Sequence, residues 1–530
     1  MTTIGRSSAR RALLGAALWA STALVPLSAQ AEEVSLKSSD GTVNLVGEFV
    51  EFVDNTYVIR TALGELRVSA ANVRCEGAAC PSFEVATADV TFAGSDTVGL
   101  GVMPLLLSGF AANLEAEITT SATGVENQSL STFVADQGFG DPMGAALVTS
   151  TVSGDAFKAL LDKSAIFGMA SRRITPDEAR ALKAANAGNM VSPEQEHIIA
   201  ADSIMVIVHP ENPVSSLTIE QVRNIYAGII VNWSEVGGPD LPITVLDRSA
   251  DSGTRRQFQQ AVFGENSAPA VPNAVIQDDN AASSAAVTDD PSAIAYVGNA
   301  FQRGAKAVPL VNECGITMEP TDFAVKTEEY PLFRRLYLYN RADNMPPLAQ
   351  EIVNFILSPA SDEVIARSGF IDLGVARQPQ PLDSVRGQLL LAPNPDAFES
   401  GVMREMLAAM VDFDRLSTTF RFSPGSSKLD ERGQLDISRL ATYLESQPAG
   451  TKVLFVGFTD DVGEFSANRK LSENRAAQML DTLRAYAGDR LANIEFASTG
   501  FGEIAPSACN TSDNGRAINR RVEVWIQSGG

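Results

Sequence analysis

An alternation of strand-like and helix-like runs over residues 83–375 most constrains the fold of this chain. Apolar runs such as Ile204-Met205-Val206-Ile207-Val208 have the length of buried strands. Amphipathic segments such as Phe157–Leu161 lie between such runs. Because strands that alternate with helices indicate an α/β architecture, the sequence predicts an α/β fold for this region.

Small polar and cationic residues follow several of the predicted strands. Ligands of open α/β sheets bind outside the carboxyl ends of the strands, so strand ends that converge would form one anion site. The segments concerned are Gly94-Ser95-Asp96-Thr97, Val152-Ser153-Gly154-Asp155, Ala170-Ser171-Arg172 and Asp247–Phe258.

The stretch Asp247–Phe258 carries the clearest binding pattern. An apolar run leads into it and a helix-like pattern follows, so Ser252-Gly253-Thr254 falls at the expected start of a helix. The first N–H groups of a helix have no intrahelical partner, and the helix dipole favours negative charge there. Glycine permits close approach of a ligand, and Arg248 can supply a bidentate fork. These features predict an oxyanion pocket; the competing interpretation is an ordinary N-cap and an amphipathic helix.

Composition argues against several classes of function. The formal net charge of −23 disfavours binding to nucleic acid or to an anionic membrane surface. Any anion must therefore be held by local donors. No Cys/His spacing suggests a metal site, and two histidines give little material for histidine-based catalysis. We predict no enzymatic activity, no cofactor and no metal; a phosphatase would need a metal cluster or an activated nucleophile, and the sequence suggests neither.

Residues 1–31 have the pattern of a cleaved secretory signal. A basic start is followed by an apolar run from Ala12 to Leu27 and by the cleavage-site pattern Ala29-Gln30-Ala31. Export agrees with the cysteine usage, because Cys75 and Cys80 flank a four-residue loop and are expected to form a disulfide in an oxidising compartment. The other two cysteines, Cys314 and Cys509, are either free or paired across domains, and the sequence leaves both arrangements open.

Outside the α/β region the chain divides into three further parts. Residues 32–82 read as a small β module, and residues 376–411 as a semi-extended connector with a short helix at Met403–Met410. Residues 412–530 form a separate domain. There a strand leads to Asp460 and a helix carries Arg475. A carboxylate can receive an ammonium group and an arginine can clamp a carboxylate, so this pair could hold a free amino-acid moiety. The competing interpretation is a surface salt bridge.

Several segments resemble the substrate-binding protein of phosphate ABC transporters. They include Phe92–Thr97, Ser153–Leu160, Phe167–Arg172, Arg248–Arg255, Asn212-Pro213-Val214, Ala293–Gly298 and Tyr330–Arg335. The resemblance covers nearly all of residues 83–375. It implies a two-lobed periplasmic-binding-protein fold with phosphate or a similar oxyanion in the cleft, and an ABC permease as a possible partner. The residues that it implicates in binding are Asp96, Thr97, Ser153, Ser171, Arg172, Arg248, Ser252, Gly253 and Thr254.

Three acidic residues depart from the pattern of that family. Many members have threonine where this chain has Asp96, while Asp155 and Asp251 replace small residues. Asp96 could accept a hydrogen bond from a protonated oxyanion, or it could pair with Arg172 or Arg248. These substitutions also motivate an alternative function, a wall-bound structural adaptor whose cleft has lost its ligand.

The C-terminal part is similar to the OmpA-like peptidoglycan-binding domain, an α+β fold. The resemblance rests on Phe420–Ser426, Gly457–Asp460, Leu471–Ala476, Gly500–Glu503 and Gly515–Glu523. It implies that Asp460 and Arg475 hold the amine and carboxylate of diaminopimelate in peptidoglycan, with Asn468 and Arg520 at the same site. Phe458 stands where the family often has histidine. The two resemblances together imply a periplasmic oxyanion-binding protein attached non-covalently to the cell wall.

Overall fold

The computed structural model describes residues 33–38, 43–53, 56–69, 73–77, 79–80, 88–135, 142–264, 273–422 and 431–529. The predicted signal segment, residues 1–31, lies outside these ranges. No helix among the described residues is both long enough and apolar enough to cross a membrane. Nor do the described ranges bring together three or more His, Cys, Asp or Glu side chains that could hold a metal ion.

The N-terminal module is a five-stranded antiparallel sheet. Its strands pair in the order β4-β3-β2-β1-β5, and buried side chains such as Leu36, Tyr57 and Ile59 form its core. The predicted disulfide between Cys75 and Cys80 is confirmed. The strands are β1 (Glu33–Lys37), β2 (Asn44–Val53), β3 (Thr56–Thr61), β4 (Gly64–Ser69) and β5 (Arg74–Glu76).

The α/β region follows this module. Its strands are β6 (Val90–Ser95), β7 (Ala116–Ala122), β8 (Gln128–Ala135), β9 (Pro142–Thr151), β10 (Phe167–Ala170), β11 (Glu196–Val208), β12 (Leu217–Thr218), β13 (Thr244–Arg248), β14 (Val275–Gln277), β15 (Ala293–Gly298), β16 (Lys306–Ala307), β17 (Leu310–Val311), β18 (Thr317–Met318) and β19 (Phe333–Asn340). Its helices are α1 (Met103–Asn113), α2 (Ser153–Asp162), α3 (Pro176–Ala184), α4 (Ile219–Tyr226), α5 (Gly253–Phe263), α6 (Asn280–Asp289), α7 (Asp322–Lys326), α8 (Pro347–Leu357) and α9 (Asp362–Arg367).

Two lobes share the central strands of this region. The sheet order is β14-β13-β15-β11-β19-β10-β6-β9-β8-β7, and the long antiparallel pair β11–β19 joins its two halves. Lobe 1 contains β6–β10 with α1–α3, α8 and α9, and lobe 2 contains β12–β18 with α4–α7. Strand β6 runs parallel to β9 and β10, and β13 runs parallel to β14 and β15. Carboxyl ends of strands therefore gather in each lobe, and the predicted two-lobed α/β fold is confirmed.

The C-terminal domain is an α+β sandwich. Its strands are β20 (Arg377–Gln378), β21 (Phe413–Arg421), β22 (Lys452–Gly457), β23 (Glu495–Gly500) and β24 (Arg521–Gln527), in the order β20-β21-β24-β22-β23. Its helices are α10 (Val385–Leu391), α11 (Ala397–Asp412), α12 (Glu431–Glu445), α13 (Phe465–Ala487) and α14 (Asp513–Asn519). Helices α12 and α13 pack on one face of the sheet through a core of leucine, methionine and phenylalanine side chains.

Residues 376–411 differ from the semi-extended connector that the sequence predicted. Strand β20 pairs with β21, and helices α10 and α11 pack on the second face of the C-terminal sheet. The buried residues Val402, Met406 and Met410 recur every four positions, so they present one helical stripe to Trp525. The prolines of this segment lie just before α10 and just before α11. They therefore precede helices and do not indicate an extended chain.

The C-terminal domain is joined to lobe 2 by a disulfide and by buried ion pairs. Cys314 is bonded to Cys509, one of the two arrangements that the sequence left open. Arg415 of β21 donates two hydrogen bonds, of 2.8 and 3.1 Å, to the Glu329 carboxylate, which also accepts one of 2.8 Å from Ser507 Oγ. Burial opposes ionisation of Glu329, but the Arg415 guanidinium outweighs it and lowers the pKa of Glu329 to about 2.

The same domain also contacts lobe 1. Arg439 of α12 donates to both carboxylate oxygens of Asp362 at 3.1 Å each, and to the Leu357 carbonyl at 3.5 Å. Leu357 is the last residue of α8, and Asp362 is the first residue of α9. Both helices pack on α1, and α9 does so closely enough that a Cβ at Gly109 would overlap Val364. The C-terminal domain therefore spans both lobes.

Candidate functional site

The loop after β13 has the structure that its sequence predicts. Arg248 is the last residue of β13 and its side chain is buried. Ser252 is the N-cap of α5, and its Oγ accepts a hydrogen bond of 3.3 Å from the N–H of Arg255. Gly253 and Thr254 are the first two residues of the helix. A buried arginine thus ends the strand whose following loop leads to the positive end of a helix dipole.

Lobe 1 brings two serine hydroxyls to this loop. Ser153 opens α2 and Ser171 follows β10; their Oγ atoms lie 3.1 Å apart, and the Ser171 N–H donates to Ser153 Oγ at 3.0 Å. Both face Gly253 of lobe 2, where a Cβ would overlap the two hydroxyl oxygens. A residue with a Cβ at this position would have to displace both hydroxyls. The structure therefore brings Ser153, Ser171 and Gly253 together.

Asp96 crosses from lobe 1 to the Arg248 side chain of lobe 2. Its Oδ2 accepts hydrogen bonds from Arg248 Nη2 at 3.1 Å and from Asn280 Nδ2 at 3.2 Å. The same Asn280 amide donates to Thr97 Oγ1 at 3.1 Å. Of the two pairings proposed for Asp96, the structure shows the one with Arg248. Asn280 was missed in the sequence, although Asp279 and Asn280 open a helix just after strand β14, in the pattern that marked the other strand ends.

Arg172 is held by an acid of its own lobe. Its guanidinium donates two hydrogen bonds, of 2.7 and 2.9 Å, to Glu178, and lies 5.0 Å from the ring centre of Phe157. Burial opposes ionisation of Glu178, yet Arg172 and the hydrogen bonds from Thr175 together outweigh burial and lower the pKa of that carboxyl. The predicted contact of Arg172 with a ligand would have to use Nε, which has no hydrogen-bond partner among the described residues, or the second N–H of Nη2.

Thr254 is also engaged within the protein. Its Oγ1 accepts a hydrogen bond of 2.5 Å from Nη1 of Arg334, a residue of the central strand β19. Arg334 pairs with Asp202 at 2.6 Å, and both side chains are fully buried. Burial raises the pKa of Asp202, and Arg334 opposes that shift. This ion pair, which sequence reasoning did not identify, fixes the first turn of α5 to the junction of the lobes.

Several polar atoms around the cleft are buried and unpaired. Within the described part of the chain, Ser95 Oγ and the Nε and Nη1 atoms of Arg248 have no hydrogen-bond partner. A buried donor without an acceptor destabilises a protein by about 1–3 kcal/mol, and more when the donor is charged. An anion with several acceptor oxygens would satisfy these donors.

The two remaining acids of the sequence analysis lie at the edge of this site. Asp155 bonds to Lys158 on its own helix at 2.9 Å, and that lysine is exposed. Asp251 is exposed in the loop before α5. It lies close to Gly154 of lobe 1, because a Cβ added to that glycine would be 3.7 Å from the Asp251 Cβ. Asp96 is thus the acid of the three that bonds to Arg248.

A second candidate site lies on the C-terminal domain, where β22 leads into α13. Asp460 follows β22 and pairs with Arg520 at 2.6 Å. Asn468 of α13 donates to the Asp460 carbonyl at 3.3 Å and to a Glu503 carboxylate oxygen at 2.6 Å. Burial raises the pKa of Glu503, and the Asn468 amide opposes that shift. Asn468 therefore orders the loop that carries Asp460.

Arg475 is the buried cation of this second site. Its guanidinium lies 5.5 Å from the ring centre of Phe422, and among the described residues its Nη1 has no hydrogen-bond partner. Burial lowers the pKa of Arg475, nearby Arg520 lowers it further, and Asp460 opposes both effects. The structure thus brings Asp460, Arg475 and Arg520 together. Phe458 is buried, and the Arg521 guanidinium lies 4.1 Å from the centre of its ring.

Comparison with known families agrees with this architecture. The sequence profile of the PBP superfamily domain matches residues 84–360, more than half of the chain, and the profile of the OmpA family matches residues 421–520. Three relatives illustrate the two parts. Outer membrane porin F of Pseudomonas aeruginosa is 35% identical over 120 residues, which are 23% of this chain and 33% of that protein.

The other two relatives match the α/β region. The phosphate-binding protein PstS of Bacillus subtilis is 26% identical over 34% of this chain and 60% of its own length. Protein SphX of Synechocystis sp. is 28% identical over 52% of this chain and 85% of its own length. The chain thus spans about a third of the porin and three fifths of PstS. The protein belongs to the PBP superfamily and carries an OmpA family domain toward its C-terminal end.

Proposed function

We propose that the cleft between the two lobes binds an inorganic oxyanion, and that phosphate is its ligand. One observation carries the proposal: among the described residues, the buried Arg248 guanidinium has two nitrogen atoms without a hydrogen-bond partner, and the loop after Arg248 leads to the N-terminus of α5. The Ser153 and Ser171 hydroxyls converge on the same loop. Relatives of this part of the chain named as phosphate-binding proteins support the choice of anion. The ligand roles of the site residues remain predictions.

The proposal extends to the location of the protein. An OmpA family domain with a buried, partly unpaired Arg475 beside Asp460 suits a ligand that carries both a carboxylate and an ammonium group. Diaminopimelate in peptidoglycan has this combination. We therefore propose a periplasmic protein that captures phosphate while attached non-covalently to the wall. If the protein delivers the anion to an ABC permease, it is a receptor for phosphate uptake. The alternative role of the same cleft is phosphate sensing.

Calorimetric titration of the full chain with phosphate tests the oxyanion proposal. We expect micromolar or tighter binding that sulfate does not abolish when it is present as competitor, because the Ser153 and Ser171 hydroxyls can accept a hydrogen bond from protonated phosphate, whereas fully ionised sulfate has no proton to donate. Absence of heat with either anion, from a folded sample freed of bound ligand, would contradict it and would favour the structural adaptor.

A sedimentation assay with diaminopimelate-type peptidoglycan tests the wall proposal. The double variant Asp460→Ala, Arg475→Ala is expected to lose about tenfold or more in affinity, because both charged groups of the ligand lose a partner. The matched control is Asp481→Ala, Arg484→Ala, an exposed pair on the same helix α13 with N–O 3.9 Å. Equal sedimentation of the two double variants would rule out the proposed site.

A further inference from the structure

A cross-lobe network surrounds one edge of the Arg248 guanidinium. Asp96 of lobe 1 accepts from Arg248 Nη2 at 3.1 Å and from Asn280 Nδ2 at 3.2 Å. Arg248 Nη2 also donates to the Asp278 carbonyl at 2.9 Å. Asn280 is fully buried and Asp96 is 8% exposed. This edge of the guanidinium is therefore shielded from water and anchored to both lobes.

The orientation of the Asn280 amide is defined by its other partners. Its oxygen accepts a hydrogen bond of 3.4 Å from the Gly298 N–H at the end of β15. Its NH₂ group therefore faces lobe 1, where it donates to Asp96 and to Thr97 Oγ1. One amide thus ties lobe 2 to two side chains of lobe 1.

The Nε and Nη1 atoms of Arg248 have the donors that an anion needs. A guanidinium is planar, so holding Nη2 fixes the plane of the whole group. The directions of the N–H groups on Nε and Nη1, which lie to either side of Nη2, are then fixed as well, and within the described ranges neither atom has a hydrogen-bond partner. If Asp96 instead acted only as a negative charge in the pocket, it would repel the ligand and removing it would tighten binding.

We propose that Asp96 and Asn280 are positioning residues for the oxyanion. Together they hold Arg248 in the orientation in which its unpaired N–H groups meet the ligand. Because the Asp96 contact crosses between the lobes and the Asp278 contact does not, this restraint on Arg248 is complete only while the two lobes are in contact. The proposal rests on the proposed function of the cleft.

Calorimetric titration of the full chain with phosphate distinguishes positioning from simple repulsion. Asp96→Asn keeps the shape of the side chain and is expected to weaken phosphate binding about tenfold, because a charged hydrogen bond becomes a neutral one. The matched control Asp155→Asn removes the same charge from an acid that bonds to Lys158, and should change affinity less than about threefold. Tighter binding by Asp96→Asn than by wild type would overturn the proposal.

A double-mutant cycle with Asn280→Ala tests whether the two residues act as one unit. If they do, the double variant loses no more affinity for phosphate than the single variant that binds phosphate less tightly. Losses that multiply would show independent effects and contradict a shared positioning role.

Hydrogen exchange on phosphate-free protein tests the cross-lobe network without any ligand. Backbone amides at residues 95–102 and 278–284 should exchange faster in Asn280→Ala than in wild type, and should be unchanged in Asp155→Asn. Unchanged exchange in Asn280→Ala would overturn the inference even if phosphate binds. Faster exchange together with no phosphate binding by wild type would uphold the cross-lobe network, refute its role in anion positioning and contradict the proposed function.

Discussion

Replacement of Arg248 by alanine is expected to lower the affinity of the full chain for phosphate at least about a hundredfold. The variant removes the cation whose Nε and Nη1 are unpaired, and it also leaves the buried Asp96 carboxylate without its guanidinium partner. Calorimetric titration measures the loss. Both effects act against an anion, so they add in the same direction.

The matched control for that variant is Arg256→Ala. Arg256 lies one turn into α5 and is exposed, so this change removes the same charge near the cleft without removing the buried fork. It should weaken phosphate binding less than about threefold, because exposed charges are screened by salt. Similar losses in Arg248→Ala and Arg256→Ala would mean that general electrostatic attraction, rather than the Arg248 site, binds the anion.

Replacement of Glu523 by alanine is expected to destabilise the C-terminal domain by about 3–5 kcal/mol, the usual effect of removing one partner from a buried ion pair. Glu523 is fully buried and accepts hydrogen bonds of 2.8 and 2.9 Å from Arg386, one of 2.7 Å from Arg521 and one of 2.8 Å from Trp525. Without this carboxylate, Arg386, Arg415 and Arg521 all lose an ion-pair partner. Glu329 then remains as the acid beside Arg415 and Arg521.

Scanning calorimetry at neutral pH measures this effect, with Glu363→Ala as control. Glu363 pairs with Arg367 on the exposed face of α9, so its loss should cost less than about 1 kcal/mol. Burial opposes ionisation of Glu523, but Arg386 and its neighbours hold its pKa well below the ordinary value. Its contribution to stability is therefore present above the unfolded pKa of about 4.5 and is lost as pH falls further. An equal melting temperature for Glu523→Ala and wild type would contradict this account.

Local patterns predicted the parts of the cleft that lie within one loop. Ser252 and Gly253 were placed at a helix start because hydroxyl and glycine residues there have a local physical reason. Asn280 was missed because its importance arises from contacts with Asp96 and Thr97, more than 180 residues away in sequence. Such a contact becomes visible only once two lobes are folded against each other.

Three other features also became visible only in the folded structure. Arg172 was predicted to contact a ligand, but Glu178, six residues later, takes two of its donors when α3 folds. The segment 376–411 was predicted as a connector because prolines dominate its local pattern. Its helices gain their stability from the second face of a sheet whose strands lie mostly farther along the chain. The pairing of Cys314 with Cys509 likewise depends on docking of the two domains.

The contact of the C-terminal domain with both lobes has a mechanical consequence. Arg415 and the Cys314–Cys509 disulfide attach this domain to lobe 2, whereas Arg439 attaches it to Asp362 of lobe 1. A hinge that separates the lobes must therefore either break the Arg439–Asp362 pair, so that the C-terminal domain follows lobe 2, or change the orientation of that domain relative to both lobes. In both cases, entry and exit of a ligand would be coupled to the orientation of the domain that we propose binds the wall.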